Sequence, residues 1–423
     1  LGGNGGDHRQ SGAALASRVA RVTHLPDAAW RRAPGLARLV ETLSVDGGAV
    51  RFVGGAVRDT LLGLAVEDVD LATPLLPGEV IARLEAAGIK AVPTGIAHGT
   101  VTAVSNGHPY EVTTLRRDVA TDGRRATVAF ADDWRDDAAR RDFTINALYA
   151  DPASGTVSDW FGGLDDLAAG RVRFIGDPAT RIAEDHLRIL RFYRFAARFG
   201  RGALDPASHA AVVAARTSLR TLSRERVADE LIKLLALPTP LAVVVQMAAD
   251  GVLAEVLPEA DGDAAARLAR LLDNEAAAGT APDAARRLAA LLPSPAAADT
   301  VSARLRLSRR LRERLVTLTQ MRRSGLAMPV RHLAYRTDPG LARDCWLLGA
   351  TSADQAAVER ALAGWDVPRL PVKGGALVAR GLGAGPLVAR TLQNIEKAWI
   401  AADFPDGAAL DALVDQAVAD ARQ

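Results

Sequence analysis

Two aspartates, Asp68 and Asp70, stand one residue apart in a segment that is otherwise largely apolar. The segment 66–73, VEDVDLAT, predicts a strand, and alternate side chains of a strand leave the same face of a sheet. Two carboxylates held that close repel each other unless a cation lies between them, and oxygen ligands suit Mg²⁺. The pair therefore indicates a magnesium site, although a bare D-x-D is also typical of a solvated strand end.

A glycine pair lies about a dozen residues upstream, in the stretch RFVGGAVRD. This stretch predicts a strand, a turn and a helix start, where Gly54 and Gly55 let backbone N–H groups approach an anion. The two glycines would hold phosphates, and Arg58 would add positive charge. A lone Gly-Gly is more often a plain turn, but the combination with the following aspartates is more specific. A third acid, Glu111, could complete the metal site or could be a charge on an edge strand.

The remaining elements define a mixed head and a helical arm. After about residue 179 the strand signals almost vanish, and helices separated by Pro and Gly follow. The predicted strands are 48–55, 66–73, 99–107 and 110–116. The predicted helices are 34–43, 55–63, 77–88, 179–199, 205–217, 223–236, 239–249 and an Ala-rich series beyond them.

Composition limits the class of protein. The formal net charge of the 423 residues is only +2, so an anionic partner must meet a local basic patch. The single cysteine, Cys345, excludes an internal disulfide and a cysteine-built zinc site, and it fits a reducing cytoplasm. No apolar run is long enough for a membrane span, and residues 1–24 lack a signal-peptide core. We expect that Gly-rich start to be a disordered leader or an added segment.

Five stretches of the chain, taken in order, resemble the motifs of class II tRNA nucleotidyltransferases. This family comprises CCA-adding enzymes and their poly(A) polymerase cousins in the polymerase-β superfamily. The resemblance is dense over about residues 25–236 and weak in the tail. The stretches are VGGAVRDTLLGLAVEDVDLAT, PTGIAHGTVT, EVTTLRRDVATDGRRATVAFADDWRDDAARRDFTINALYAD, DWFGGLDDLAAGRVRFIGDPATRIAEDHLRILRFYRFAARFG and LSRERVADELIKLL.

The resemblance implies an α+β fold, with a polymerase-β-like nucleotidyltransferase head followed by an all-helical neck, body and tail. The implied parts are a head at 25–165, a base-recognising neck at 166–236, a body at 237–330 and a tRNA-binding tail at 331–423. It also implies a reaction, the addition of CMP, CMP and AMP to a tRNA 3′ end from CTP and ATP. In this mapping Asp68 and Asp70 bind the two metal ions, and Glu111 takes the position of the third carboxylate.

Base choice is assigned by the resemblance to Asp185 and Arg188, which the helical pattern of 181–195 would place on one face. A carboxylate accepts from an exocyclic amine and a guanidinium donates to a ring nitrogen or carbonyl, a pattern that suits cytosine and adenine. Glu184 would orient the pair. The alternative is an ordinary salt bridge on a helix surface.

Further nucleotide contacts are implied in RRDFTINAL, residues 140–148. Arg141 and Asp142 would contact the nucleotide, Asp142 through a ribose hydroxyl, and Asn146 would support the turn. Arg191 and Arg194 would steer phosphate or brace their helix. The stretch 116–139 resembles the family's mobile loop.

RNA binding by the arm is suggested by the basic run 303–315, which could equally be a solvated helix face. Three functions stay open at this stage. The first is CCA addition to tRNA. The second is a poly(A) polymerase, or an enzyme that adds only CC or only A. The third is a non-catalytic RNA-binding protein.

Overall fold

The computed structural model describes residues 24–45, 49–121, 126–324, 328–349 and 352–422. The chain divides into two compact units, the first ending at Val256 and the second beginning at Leu257. This division falls inside the predicted body, 237–330, and the four-part organisation of head, neck, body and tail stays a prediction. The predicted leader lies outside the described residues except for His24.

The first unit contains a seven-stranded mixed sheet with the strand order β3-β4-β5-β2-β1-β8-β9, and a separate hairpin of β6 and β7. Strands β2 and β5 are parallel, and the other neighbours in the sheet are antiparallel. The strands are β1 (Arg51–Val53), β2 (Asp70–Thr73), β3 (Lys90–Gly95), β4 (Thr100–Ser105), β5 (His108–Thr114), β6 (Arg116–Thr121), β7 (Ala126–Phe130), β8 (Tyr149–Ala150) and β9 (Val157–Ser158).

The strands predicted from alternation are confirmed, with one correction that concerns the site. The strand predicted at 66–73 begins only at Asp70, so Asp68 lies in the preceding loop rather than on the sheet. Burial of Phe52, Leu71 and Val112 explains why these segments form central strands. Of the stretch predicted as a mobile loop, residues 116–121 and 126–130 pair as the β6–β7 hairpin, while 122–125 lie outside the described residues.

Helices surround the sheet and then continue to Val256. Proline at the first helical position starts α1, α3, α6 and α8, because the missing N–H has no intrahelical partner there. The helices are α1 (Pro34–Ser44), α2 (Gly55–Leu62), α3 (Pro77–Ala86), α4 (Trp134–Ala139), α5 (Gly163–Ala169), α6 (Pro178–Glu184), α7 (Arg188–Phe199), α8 (Pro206–Ala214), α9 (Arg224–Leu235), α10 (Leu241–Ala249) and α11 (Val252–Val256).

The continuous helix predicted over 181–195 is wrong. Helix α6 ends at Glu184, Asp185 adopts an extended conformation with φ −152° and ψ 105°, and α7 begins at Arg188. The Asp185 carboxylate accepts a hydrogen bond from the backbone N–H of Leu187 (3.1 Å), the residue immediately before the second helix. Asp185 and Arg188 therefore do not lie on one face of one helix.

The second unit contains helices joined by turns and loops, and its described residues include no strand, as the sequence predicts. Residues 377–418 contribute one of its apolar clusters, in which Leu377, Ile395, Trp399 and Val414 are buried. None of the described helices of either unit is long and apolar enough to cross a membrane. The helices are α12 (Ala264–Ala277), α13 (Ala284–Leu291), α14 (Pro295–Arg304), α15 (Arg309–Ser324), α16 (Val330–Arg336), α17 (Pro339–Gly349), α18 (Ser352–Leu362), α19 (Gly374–Ala379), α20 (Pro386–Ala401) and α21 (Gly407–Ala421).

Candidate active site

A cavity of about 830 Å³ in the first unit gathers most of the residues predicted to act on a nucleotide. The walls come from β2, β5, α2, α7, α9 and the turn that contains Asn146. Its charged and glycine residues are Gly54, Gly55, Arg58, Asp59, Glu67, Asp68, Asp70, Glu111, Arg141, Asp142, Arg191, Arg194, Arg198 and Lys233.

The acidic side of the cavity is built by strand pairing. Asp70, the first residue of β2, is the register partner of Glu111 on the parallel strand β5. Asp68 reaches the same cavity from the loop before β2. Burial raises the pKa of Asp70, the nearby Glu111 and Asp68 raise it further, and Arg141 only partly opposes them. The three carboxylates thus form a group that has no ion-pair partner among the described residues and whose negative charge Arg141 offsets only in part.

A divalent cation fits this donor set. The described residues contain no group of three or more His, Cys, Asp or Glu side chains arranged to hold a metal ion. Mg²⁺, however, is commonly bound through one or two carboxylates, with substrate phosphates and water completing the shell. Asp68 and Asp70 offer two carboxylates on the wall of an open cavity, where a bound cation would offset the repulsion from Glu111 and Asp68 that raises the pKa of Asp70.

The glycine turn lies on the cavity wall at the start of α2. Gly54 has φ +67° and ψ −120°, a conformation that other residues rarely adopt, and it is the N-cap residue of the helix. A Cβ at Gly54 would lie 3.2 Å from Nη1 of Arg141, so a side chain would crowd the site. The first backbone N–H groups of a helix have no intrahelical acceptor, which makes this end suitable for an anion.

Arg58 is buried and held by two partners. Its Nε donates to Asp59 (2.7 Å), and its Nη1 donates to the side-chain oxygen of Asn146. Asp59 also accepts from Arg198 (3.1 Å). Burial lowers the pKa of Arg58, and the adjacent Asp59 opposes that change. Arg58 is therefore a fixed, oriented cation rather than a mobile surface charge.

Asp142 is the centre of a second buried network. Its carboxylate accepts from Arg191 at 2.6 and 2.8 Å, from the amide of Asn146 at 2.9 Å and from the N–H of Phe143 at 2.8 Å. Burial alone would raise the pKa of Asp142, but Arg191 and the other donors outweigh it and lower the pKa. Asn146 contacts both Asp142 and Arg58 and so links the two networks.

Two further arginines of the cavity wall also have partners. Arg194 donates to Glu230 at 2.6 Å. Arg141 donates to the Tyr149 hydroxyl (2.9 Å) and lies 3.4 Å from Asp137. The sequence did not indicate three of the acids that pair with arginines of the cavity wall, because the pairs form only in the folded protein. These acids are Asp59, Asp137 and Glu230. Arg198 could have been found, since it follows Arg194 by one helical turn.

The predicted base-reading pair does not line the cavity in this structure. Asp185 is ion-paired with Arg226 at 2.7 Å. Arg188 is paired with Glu184 and donates to the backbone oxygens of Arg181 and Arg140. None of these bonds joins Asp185 to Arg188, and the role of Glu184 in orienting them stays a prediction.

The basic run of the second unit is largely neutralised by carboxylates. Arg304 pairs with Glu259 (2.6 Å), and Arg312 pairs with Asp299 (2.6 Å). The remaining pairs are Arg309 with Glu313, and Arg314 with both Asp283 and Asp344. The run is therefore not a row of uncompensated cations, which weakens the argument for a phosphate-binding face there.

Two family comparisons match parts of the first unit. Residues 50–173 match the poly A polymerase head domain, and residues 203–263, which extend into the second unit, match the probable RNA and SrmB-binding site of polymerase A. The first match spans Gly54, Asp68, Asp70 and Glu111.

Curated relatives and solved structures agree with these matches. The chain is 44% identical over 207 residues to the CCA tRNA nucleotidyltransferase 1, mitochondrial, of Danio rerio, covering 48% of this chain and 47% of the relative. It is 40% identical over 222 residues to the CCA-adding enzyme of Levilactobacillus brevis, covering 52% of this chain and 53% of the relative. The chain thus spans about half the length of the curated relatives it matches.

The similarity in structure extends further along the chain. The Bacillus stearothermophilus CCA-adding enzyme in complex with CTP is 28% identical, with a TM-score of 0.66 over 88% of this chain and 94% of that one. The Thermotoga maritima CCA-adding enzyme complexed with tRNA_CCA has a TM-score of 0.70 over 96% of this chain and 98% of that one, at 21% identity, which is a likeness of fold.

The mixed-sheet head, the helical remainder and the acid-lined cavity define a protein with the CCA-adding enzyme fold. Residues 50–173 and 203–263 match domains described from poly(A) polymerases, and about half of the chain is similar to CCA tRNA nucleotidyltransferases and CCA-adding enzymes, in agreement with the resemblance of the motifs.

Proposed function

We propose that this protein adds CCA to the 3′ end of tRNA, using CTP and ATP and releasing pyrophosphate. One observation carries the proposal: Asp68, Asp70 and Glu111 line the same cavity as the Gly54–Gly55 turn, without ion-pair partners among the described residues. The identity to curated CCA-adding relatives, and the likeness to a relative solved with CTP, support the choice of reaction.

The chain's own residues would bind and orient the two substrates. Asp68 and Asp70 would hold Mg²⁺, and Glu111 would add negative charge beside them. When bound, Mg²⁺ supplies activation of the attacking 3′-hydroxyl and neutralisation of the leaving pyrophosphate. The Gly54–Gly55 turn would approach the triphosphate through backbone N–H groups, and Arg58 and Arg141 would fix its orientation. Asp142 would accept from a ribose hydroxyl, while its two bonds to Arg191 hold it in place.

Asp185 and Arg188 remain our proposed readers of the base. Because Asp185 is paired with Arg226 and Arg188 with Glu184, nucleotide binding would have to reorient both side chains toward the cavity. We expect Asp185→Ala to relax the choice among nucleotides. In the wild type, a base that cannot donate to the carboxylate leaves it unpaired and is rejected, and the substitution removes this penalty. Unchanged selectivity in this variant would contradict the assignment.

The RNA partner and the compartment belong to the same proposal. Residues 203–263, which match a probable RNA-binding site, and the predicted tail 331–423 would contact tRNA. The buried Cys345, whose pKa burial raises to about 12, is consistent with a structural thiol in a reducing cytoplasm.

A second candidate function is poly(A) addition, or the addition of only CC or only A. It is favoured by the match of residues 50–173 to a domain described from poly A polymerase. A non-catalytic RNA-binding role is a more distant third possibility.

Incorporation assays separate these functions. The protein is incubated with Mg²⁺, each nucleoside triphosphate in turn, and tRNAs that lack CCA, CA or only the terminal A. Stepwise addition of C, C and A that then stops supports the proposal. Long A tails would transfer the assignment to a poly(A) polymerase. Retention of tRNA without incorporation would leave the RNA-binding role.

A further inference from the structure

The cations of the cavity wall fall into two classes. Each of the five arginines is held by at least one carboxylate of the protein. The pairs are Arg58 with Asp59, Arg198 with Asp59, Arg141 with Asp137, Arg191 with Asp142, and Arg194 with Glu230. The sixth cation is Lys233 of α9, which has no hydrogen-bond or ion-pair partner within the described ranges.

The position of Lys233 follows from the structure of α9. Glu230 and Lys233 are three residues apart, so they lie on neighbouring positions of one helix face. Glu230 is buried, 4% exposed, and contacts Arg194 at 2.6 Å and Arg191 at 3.8 Å. One turn further along, Lys233 is exposed and still lines the cavity. A single helix thus fixes two arginines with a buried acid and presents one unpaired amine beside them.

We propose that Lys233 binds a phosphate group of a substrate in this cavity. The proposal rests on the proposed nucleotidyl transfer, because it assigns a contact within the same site. A phosphate that contacts one of the five arginines must share that guanidinium with an existing carboxylate, whereas Lys233 gains a partner without losing one. A lysine amine is a compact charge with three donors on a flexible stem, which suits a phosphate that arrives from outside the cavity.

Two substrates carry the required chemistry, the triphosphate of the incoming nucleotide and the phosphodiester backbone at the RNA 3′ end. The experiment compares the wild-type protein with Lys233→Ala and with a matched control, Lys90→Ala. Lys90 is an exposed lysine of the same unit, on β3, and it does not line the cavity. Both substitutions remove one exposed positive charge, so melting temperatures should stay close to wild type.

The first arm measures binding of CTP and of inorganic tripolyphosphate in the presence of Mg²⁺ by calorimetry. A triphosphate contact predicts that Lys233→Ala weakens both ligands about tenfold, as expected for one charge-assisted hydrogen bond, while Lys90→Ala does not. Lys233→Arg should restore most of the affinity. Weaker binding of CTP with unchanged binding of tripolyphosphate would assign Lys233 to the nucleoside and overturn the phosphate contact.

The second arm measures binding of tRNA lacking CCA at several salt concentrations. The binding constant K for tRNA falls as the salt concentration rises. An RNA phosphate contact predicts that this fall, the slope of log K against log salt, becomes shallower by about 0.7–0.9 in Lys233→Ala, with CTP binding unchanged. If Lys233→Ala and Lys90→Ala bind CTP, tripolyphosphate and tRNA equally well, the proposal for Lys233 is overturned. The proposed function is unaffected by that result as long as the wild-type protein incorporates nucleotides into tRNA. A wild-type protein that binds neither CTP nor tRNA would overturn both.

Discussion

Both units contain a cluster of buried or half-buried charges, and the two clusters differ in how completely their charges are paired. In the second unit, Glu275 contacts Arg286 and Arg287 at 2.7 Å, and Asp344 contacts Arg286 and Arg314 at 2.6 Å. Every carboxylate of this cluster has a guanidinium partner. In the cavity of the first unit, Asp68, Asp70 and Glu111 have none within the described chain.

The difference distinguishes charges that are neutralised within the fold from charges that we propose bind a ligand. A buried ion pair with all partners present needs no further group, and it fixes helices α12, α13, α15 and α17 against one another. Carboxylates that repel each other in a cavity raise the free energy of the folded state until a cation binds. Natural proteins retain such unfavourable groups mainly at functional sites.

The largest expected effect is the loss of catalysis on neutralising the unpaired cluster. We expect Asp70→Asn to reduce nucleotide incorporation on the order of 10³-fold or more, because metal coordination supplies several kcal/mol of transition-state stabilisation. Incorporation into tRNA lacking CCA, with tRNA binding measured in parallel, checks this. Wild-type rates in Asp70→Asn would mean that the acidic group is not the metal site.

The paired cluster should respond in stability instead. Glu275→Gln leaves Arg286 and Arg287 without one of their buried partners, so we expect a loss of about 3 kcal/mol or more in the free energy of unfolding. Urea denaturation measures the loss. Glu313→Gln is the matched control, because Glu313 is 63% exposed and pairs on the surface with Arg309. Similar effects of the two substitutions would remove the distinction between buried and exposed pairs.

The pH dependence of stability sharpens the comparison within the cavity itself. Ionised Asp70, whose pKa is raised, destabilises the folded state at neutral pH, and this cost disappears below the ordinary pKa of an aspartate. Asp142 has a lowered pKa, so its contribution is present above the ordinary aspartate pKa and is lost as the pH falls through the folded-state value.

Without metal, Asp70→Asn should therefore raise the melting temperature at neutral pH, and Asp142→Asn should lower it. Both differences from wild type should shrink on acidification, and thermal scans from neutral to acid pH measure them. A higher melting temperature for Asp142→Asn at neutral pH would contradict the conclusion that Arg191 and the other donors stabilise the ionised Asp142 carboxylate.

The smallest effect is expected at an exposed pair of the basic run. Arg312 and Asp299 are each about half exposed, so Arg312→Ala should cost only ~0.5 kcal/mol in the free energy of unfolding. Denaturant titration checks this value. A loss comparable to that of Glu275→Gln would show that surface pairs also carry the stability of the second unit.

Much of the fold follows from the sequence, because local signals and tertiary structure agree. Proline starts and β-branched alternation predict α1, α3, β4 and β5 close to their observed ranges. Strand β3 was missed since Pro93 interrupts its pattern, yet β3 is an edge strand, where a missing N–H is tolerated. The break at Asp185 was missed because EDHLR contains no Pro or Gly, and the ion pair to Arg226 joins residues far apart in sequence.

The candidate site was predictable in its motif residues but not in their partners. Asp68, Asp70 and Gly54 stand out by type and spacing, Asp142 is implied by the resemblance to the family, and all four line the cavity. Glu230 lies 36 residues from Arg194, and no local pattern relates the two positions. Long-range pairs of this kind depend on the packing of whole helices, which sequence periodicity does not specify.

The register of β2 and β5 also has a consequence for synthesis. Asp70 and Glu111 become neighbours only when two parallel strands pair, and β3 and β4 lie between them in the chain. A growing polypeptide must therefore release residues up to Thr114 from the ribosome before the acidic group can assemble. Until then the carboxylates lie apart in the nascent chain, and the acidic group forms only when these two non-local strands pair.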